Sequence, residues 1–198
     1  YSLDGIGAYH LTLGRNKKSV ELDLKSEEGL KLFKELVSVA DVVVDNFSQG
    51  VTQRLGIDHQ SLKKVNPKII TCSISGFGDT ELNRPAYDNL IQGYAGAMSI
   101  TGTDKENPVK SGIPIADLGA GLYAVIGILS AIQSREKNDS GEHVDISMLD
   151  TQVSLLTYMA TMHFLSGENP KPIGNQHMNH VPFNSYKTSD GFIQIGVV

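Results

Sequence analysis

A single acid, Asp117, stands where a short apolar segment, residues 113–116, runs into a stretch of helical spacing rich in small residues: Gly119, Ala120, Gly121, Ala124 and Gly127. The first N–H groups of a helix have no intrahelical partner and carry the positive end of its dipole, and both favour an ionised carboxylate. Without Cβ atoms at Gly119 and Gly121, such a helix start can approach another backbone or a bulky ligand closely. Asp117 reads as a charged, positioned and approachable carboxylate, or as an ordinary N-cap, for which Asp is among the favoured residues.

Few other side chains have types and spacing suited to chemistry. Asn46 follows the run DVVVD, and Arg54 lies in a short helical stretch beyond it. Loops past the carboxyl ends of parallel strands are where open α/β sheets bind ligands. Taken by themselves, Asn46 is equally a turn residue and Arg54 a surface cation. Arg15, Lys17 and Lys18 form a small basic cluster, either a solvated face or a phosphate contact. His177 and His180 are three apart, but no cysteine or third histidine nearby completes a metal-ligand set. Tyr87, read alone, is a loop aromatic packing on the core. The methionines of residues 148–166 read as core or dimer surface rather than as a cofactor box.

The elements that must position these residues follow from hydrophobic period. Residues 19–24 alternate Val20, Leu22 and Leu24 with Glu21 and Asp23, the period of a half-buried strand, and Lys25 comes directly after. Ser26 with Glu27 and Glu28 is a helix start, and Leu30, Phe33, Leu36 and Val37 recur at helical spacing. DVVVD is a β-branched run typical of a strand covered on both faces. A helix over 61–65 stops at Asn66-Pro67, and KIITCSI makes a further strand ending in Gly76-Phe77-Gly78. Helical stretches are predicted over 90–100 and 148–166, with the strand EHVDIS before the second. Residues 1–16 read as a loop. After residue 165 prolines appear at 170, 172 and 182, and FNSYKT and FIQIGVV flank Ser189-Asp190-Gly191 as a hairpin. The pattern is α/β with a parallel sheet, divided into residues 1–165 and residues 166–198, the latter a linker and the start of a smaller α/β domain.

Composition narrows the function classes. A net charge of −5 gives no general attraction to nucleic acid or to an anionic membrane, so an anionic ligand must be met by local cations. No apolar run approaches the ~18 residues that would suggest a bilayer span. The one cysteine, Cys72, sits in an apolar strand-like run, which suits a reducing compartment and a core position. This leads to the expectation of a cytoplasmic protein, or a mitochondrial-matrix one in a eukaryote. A start at Tyr1 and an end at Val198 inside a strand-like run lead to the expectation of an internal piece of a longer protein.

Several stretches together, KKSVELDLKSEEG, ADVVVDNFSQGVTQRLGID, NPKIITCSISGFG, RPAYDNLIQGYAG, GIPIADLGAGLYAVIGILSAI and GEHVDISMLD, resemble the class III coenzyme A transferases, a family that also holds α-methylacyl-CoA racemases. The resemblance implies a Rossmann-like large domain and an interlocked homodimer. It implies that Asp117, in the context Pro114 to Gly121, is a nucleophile forming an aspartyl anhydride and then an aspartyl-CoA thioester. It places Leu22, Lys25, Asn46, Phe47, Ser48 and Arg54 at coenzyme A, with Lys25 and Arg54 toward its phosphates. The loop read as DNFSQG carries Ser48 and Gln49 where the family's familiar form has arginine and proline.

The family's racemases have a histidine where this chain has Tyr87, and tyrosine is a poor general base at neutral pH. The resemblance thus favours transfer of coenzyme A between carboxylic acids, with succinyl-CoA or another dicarboxylyl-CoA as donor. The partners expected are acyl-CoA, small carboxylic acids and a second copy of the chain; no tightly bound cofactor, metal, nucleic acid or membrane is expected. The alternatives are an acyl-CoA racemase and a catalytically silent CoA-binding module. A dinucleotide-binding domain is disfavoured because no G-x-G-x-x-G follows an early strand.

Overall fold

The computed structural model describes residues 1–80, 82 and 84–198. In chain order the elements are β1 (Ser2–Leu3), β2 (Ile6–Gly7), α1 (Ala8–Leu13), α2 (Glu27–Val39), β3 (Val42–Asp45), α3 (Val51–Leu55), α4 (His59–Lys63) and β4 (Ile70–Ser75). They continue with α5 (Asp88–Tyr94), α6 (Ala97–Ile100), α7 (Ile115–Asn138), β5 (His143–Ser147), α8 (Met148–Ser154), α9 (Tyr158–Ser166), β6 (Phe183–Lys187) and β7 (Phe192–Gly196). The predicted α/β architecture with a parallel sheet is present: β4 lies between β3 and β5, parallel to both, with Val44 beside Cys72 and Cys72 beside Val144.

The two faces of this sheet differ because side chains alternate along each strand. Ile70, Cys72 and Ile74 share a face with Val144 and Ile146, and α7 packs there: a Cβ on Gly127 would lie 2.6 Å from Val144. The other face carries Val43 and Ile69 at one end, sealed by Val37 of α2, Ile57 and Leu62 of α4. Farther along, that face turns polar, with Asp45, Thr71, Ser73, Ser75, His143 and Asp145. A second apolar cluster, Phe77, Ile91, Ala116, Ala120 and Met148, joins α5, α7 and α8 beneath the carboxyl end of β4.

Helix α2 begins where predicted, Ser26 Oγ accepting the Gly29 N–H at 3.0 Å. The hairpin of β6 and β7 also forms, Phe183 opposite Gly196. Five expectations need correction. Residues 19–24 are not a strand; their alternation sets Leu24 against the α2–α4 cluster without a ladder partner among the described residues. Residues 1–16 are not a plain loop, since β1, β2 and α1 form there. The stretch 90–100 is two helices, broken at Gly96 with φ +80°, and 148–166 is two helices, broken at Thr157 with φ 51° and ψ −124°, backbone a β-branched residue rarely adopts.

The fifth correction concerns α7. Its glycines and alanines add up with its leucines and isoleucines to a helix long and apolar enough, by length and composition, to cross a bilayer. It packs instead along β4, β5, α5 and α8, burying Ala116, Gly119, Ala120, Ala124 and Ala131. At its far end Arg135 donates to Asp41 Oδ1 at 2.9 Å and to the Lys68 carbonyl at 3.1 Å.

Candidate active site

The loops leaving the carboxyl ends of the three parallel strands enclose a cavity of about 470 Å³, within the usual range for a small-molecule site. Its walls include Asn46, Phe47 and Ser48 after β3, Gly76 to Gly78 after β4, Tyr87 and Asp88 at the start of α5, Met148 after β5, and Asp117 and Gly121 of α7. Five of the sequence-predicted residues, Asp117, Tyr87, Asn46, Phe47 and Ser48, are thereby brought to one cavity. Leu22, Lys25 and Arg54 are not among its walls: Leu22 is half-buried, Lys25 is exposed after residues 19–24, and Arg54 is exposed on α3.

The loop carrying Asn46 is fixed by its own polar groups. Asn46 Nδ2 donates to the Ile74 carbonyl at 2.6 Å, Phe47 N–H donates to Asp45 Oδ1 at 3.1 Å, and Gln49 Nε2 donates to Asp79 Oδ1 at 3.2 Å. Tyr87 occupies the N-cap position of α5 in extended backbone and its side chain is exposed.

Asp117 is the third residue of α7 rather than its N-cap, and the helix start is satisfied by a different acid. Asp88 Oδ1 accepts the Ala116 N–H at 2.9 Å and the Asp117 N–H at 3.5 Å, while Asp88 Oδ2 accepts from Gln92 Nε2 at 2.7 Å. Gln92 is buried, and its Oε1 accepts the Ser111 N–H at 2.8 Å. The helix-start donors expected to favour an ionised Asp117 are thus given to Asp88, which alters the electrostatics. Partial burial, and then the charge of Asp88, push the Asp117 carboxyl above its ordinary range. A carboxylate so placed is more basic and less hydrated than one in water, a suitable nucleophile for an acyl carbonyl.

Asp88 and Gln92 were missed as site residues by sequence reasoning. The signal available was an acid and an amide at i and i+4 in a stretch otherwise of apolar and small residues. Gly119 and Gly121 serve different ends. A Cβ on Gly119 would meet Thr151 at 3.0 Å and Leu155 at 3.1 Å, whereas Gly121 faces open space at the cavity.

On the polar face of the sheet a second hollow, about 260 Å³, adjoins the first. There the buried Thr71 hydroxyl lies 2.9 Å from His59 Nδ1 and 2.8 Å from His143 Nδ1. One hydroxyl hydrogen serves only one of two neutral rings, so the other ring must donate. Burial, and then His143 and Lys63, push His59 below its ordinary range. Cys72 is pushed up to about 11 by burial, then by Asp45 and Asp145, which makes it an unreactive core thiol. No cluster of metal-ligating side chains is found among the described residues, His177 and His180 included.

The sequence profile of CoA-transferase family III matches residues 1–198. The chain is 38% identical over 192 residues to the succinate–glutarate CoA-transferase of Agrobacterium fabrum, covering 96% of this chain and 48% of that protein. It is 35% identical over 190 residues to the human succinyl-CoA:glutarate CoA-transferase, covering 95% and 43%. The crystal structure of a CAIB/BAIF family protein from Brucella suis superposes with a TM-score of 0.86 at 41% identity, over 91% of this chain and 48% of that one. The chain spans about half the length of these relatives, and within that span, from the strand ends that frame the cavity to the helix that carries Asp117, it belongs to CoA-transferase family III.

Proposed function

We propose that this chain carries the nucleophile of an enzyme that moves coenzyme A between carboxylic acids, dicarboxylic acids above all, with Asp117 forming the covalent intermediates. In the first step a carboxylate oxygen of Asp117 bonds to the thioester carbonyl carbon and CoA thiolate leaves, giving a mixed anhydride. The thiolate then attacks the aspartyl carbonyl, releasing the donor acid and leaving an aspartyl-CoA thioester. The acceptor carboxylate attacks that thioester and expels thiolate, which attacks the acceptor's acyl carbon and restores Asp117. No net proton transfer is required.

The observation that carries this reading is Asp117 at the cavity wall, its acidity weakened by partial burial and by Asp88. The relatives' names, succinate, succinyl-CoA and glutarate, support a dicarboxylic substrate class. Because Asp88 takes the helix-start N–H groups, the developing oxyanion is met by other donors, of which the Tyr87 and Ser48 hydroxyls line the cavity. Coenzyme A extends from Asn46, Phe47 and Ser48 past the cavity rim toward Lys25 and Arg54, with Leu22 beside it. The large domain, residues 1–165, is Rossmann-like, and residues 166–198 lead into a smaller one. The functional unit is an interlocked homodimer, in keeping with the exposed Leu118, Leu122, Val125, Ile126 and Leu129 along α7.

The test is covalent trapping. The full-length protein is mixed with succinyl-CoA, quenched with hydroxylamine and digested, and its peptides are weighed. Modification of the Asp117 peptide, absent in Asp117→Asn, is the expected result; turnover without any aspartyl adduct would overturn the mechanism.

A further inference from the structure

Among the described residues, Arg84 is the sole lysine, arginine or histidine on the wall of the Asp117 cavity. It shares that wall with two acids, Asp88 and Asp117. A ligand presenting a second carboxylate there would be repelled unless a cation received it. Neither ion pair found among the described residues, Lys68–Asp139 and Arg135–Asp41, involves Arg84. Among the described residues its guanidinium makes one contact, a neutral one, Nη1 donating to the Tyr94 hydroxyl at 3.3 Å. Tyr94 in turn rests edge-on against Phe77, with ring centroids 5.7 Å apart, and Phe77 is a buried member of the cluster beneath the cavity. The arginine is therefore exposed and steadied, and among the described residues most of its donors have no partner.

We propose that Arg84 receives the distal carboxylate of a dicarboxylic acyl group whose thioester end is presented to Asp117. This rests on the transferase reading above and assigns the selectivity for dicarboxylic over monocarboxylic acids to one side chain. A guanidinium suits that task because its planar fork matches both oxygens of a carboxylate. Leu82, Pro85 and Ala86 on the same wall offer apolar surface for the intervening methylenes.

The experiment measures binding without turnover, in full-length protein carrying Asp117→Asn. Glutaryl-CoA and pentanoyl-CoA have equal acyl carbon counts and differ in the distal charge, and calorimetry gives the ratio of their affinities. The expected ratio favours glutaryl-CoA by roughly ten- to a hundredfold, the range for a charge-assisted contact. Adding Arg84→Met should bring it to within about threefold of unity, and Arg84→Lys should restore part of it, with pentanoyl-CoA binding unchanged throughout. Equal weakening of both thioesters in Arg84→Met would overturn the proposal, showing that the arginine serves coenzyme A or the fold. An unchanged ratio would overturn it as well. The transferase reading fails separately, by the absence of an aspartyl adduct in wild-type protein; failure of both thioesters to bind the Asp117→Asn protein would sink the two together.

Discussion

Replacing Asp88 should destabilise the chain even though the residue lies at a cavity wall. Asp88→Ala removes the acceptor of the Ala116 N–H and of Gln92 Nε2, and both donors belong to buried residues. Each buried donor left unpaired costs about 1–3 kcal/mol. Two effects work the other way: the repulsion between Asp88 and Asp117 disappears, and water from the cavity reaches part of the vacated space. A net loss of about 3 kcal/mol follows from these opposing terms. For a chain of this size that corresponds to a fall in Tm of roughly 6–12 °C. Asp88→Asn should fall between wild type and alanine. Its Oδ1 can still accept from Ala116, but its Nδ2 then faces Gln92 Nε2, donor against donor. Gln92 cannot simply turn, because its Oε1 is held by the Ser111 N–H. Thermal unfolding followed by circular dichroism, at one protein concentration and without ligand, measures all three proteins. An alanine variant within about 3 °C of wild type, or an asparagine variant equal to it, would refute the account of how α7 begins.

Asp117→Asn should abolish covalent transfer and raise Tm, because an ionised carboxylate beside Asp88 is disfavoured in the folded state; a variant that unfolds earlier than wild type contradicts this. His59, held below its ordinary range, favours its neutral form in the fold. Its contribution is present above the unfolded value of about 6.5 and is lost as pH falls toward the folded value. Stability should therefore decline below about pH 6.5 more steeply in wild type than in His59→Gln, as read by denaturant unfolding at each pH. Gly121→Ala should stabilise α7 by about 0.5–1 kcal/mol while impairing acyl-CoA binding. Gly119→Ala, forced against Thr151 and Leu155, should gain nothing in Tm. Cys72 should stay unmodified by a maleimide in native protein and react only on unfolding, in accord with its buried, raised thiol.

Much of the fold was legible because its determinants are local. DVVVD, KIITCSI and EHVDIS are β-branched or alternating runs between turn residues, and the sheet joins all three. Ser26 announced α2 by its own chemistry. What escaped was set by distant partners. Residues 19–24 carry a strand's alternation, but a strand also needs a neighbour to complete its ladder. The break at Thr157 leaves no mark in a run that is apolar on both sides of it. At the site, Asp117 was prominent through its flanking glycines, whereas the role of Asp88 depends on α5 meeting the start of α7, 28 residues away in sequence. The polar face shared by Thr71, His59 and His143 is a matter of register, and register is not written in any one strand.

Helix α7 is secured at two places: Asp88 holds its first turn to α5, and Arg135 in its last turns reaches Asp41 and the Lys68 carbonyl. At 24 residues it is a strut of about 36 Å. A strut pinned near both tips resists sliding along its axis but can still roll about it. The side chains of an α-helix stand about 5 Å from the axis, so a roll of about 10° would carry the Asp117 carboxylate by roughly 1 Å. A displacement of that size can cost about a hundredfold in rate. Whatever presses on the outer row of Leu118, Leu122, Val125 and Leu129 thus acts as torque on the Asp117 side chain, so that its aim is set from another face of the same helix.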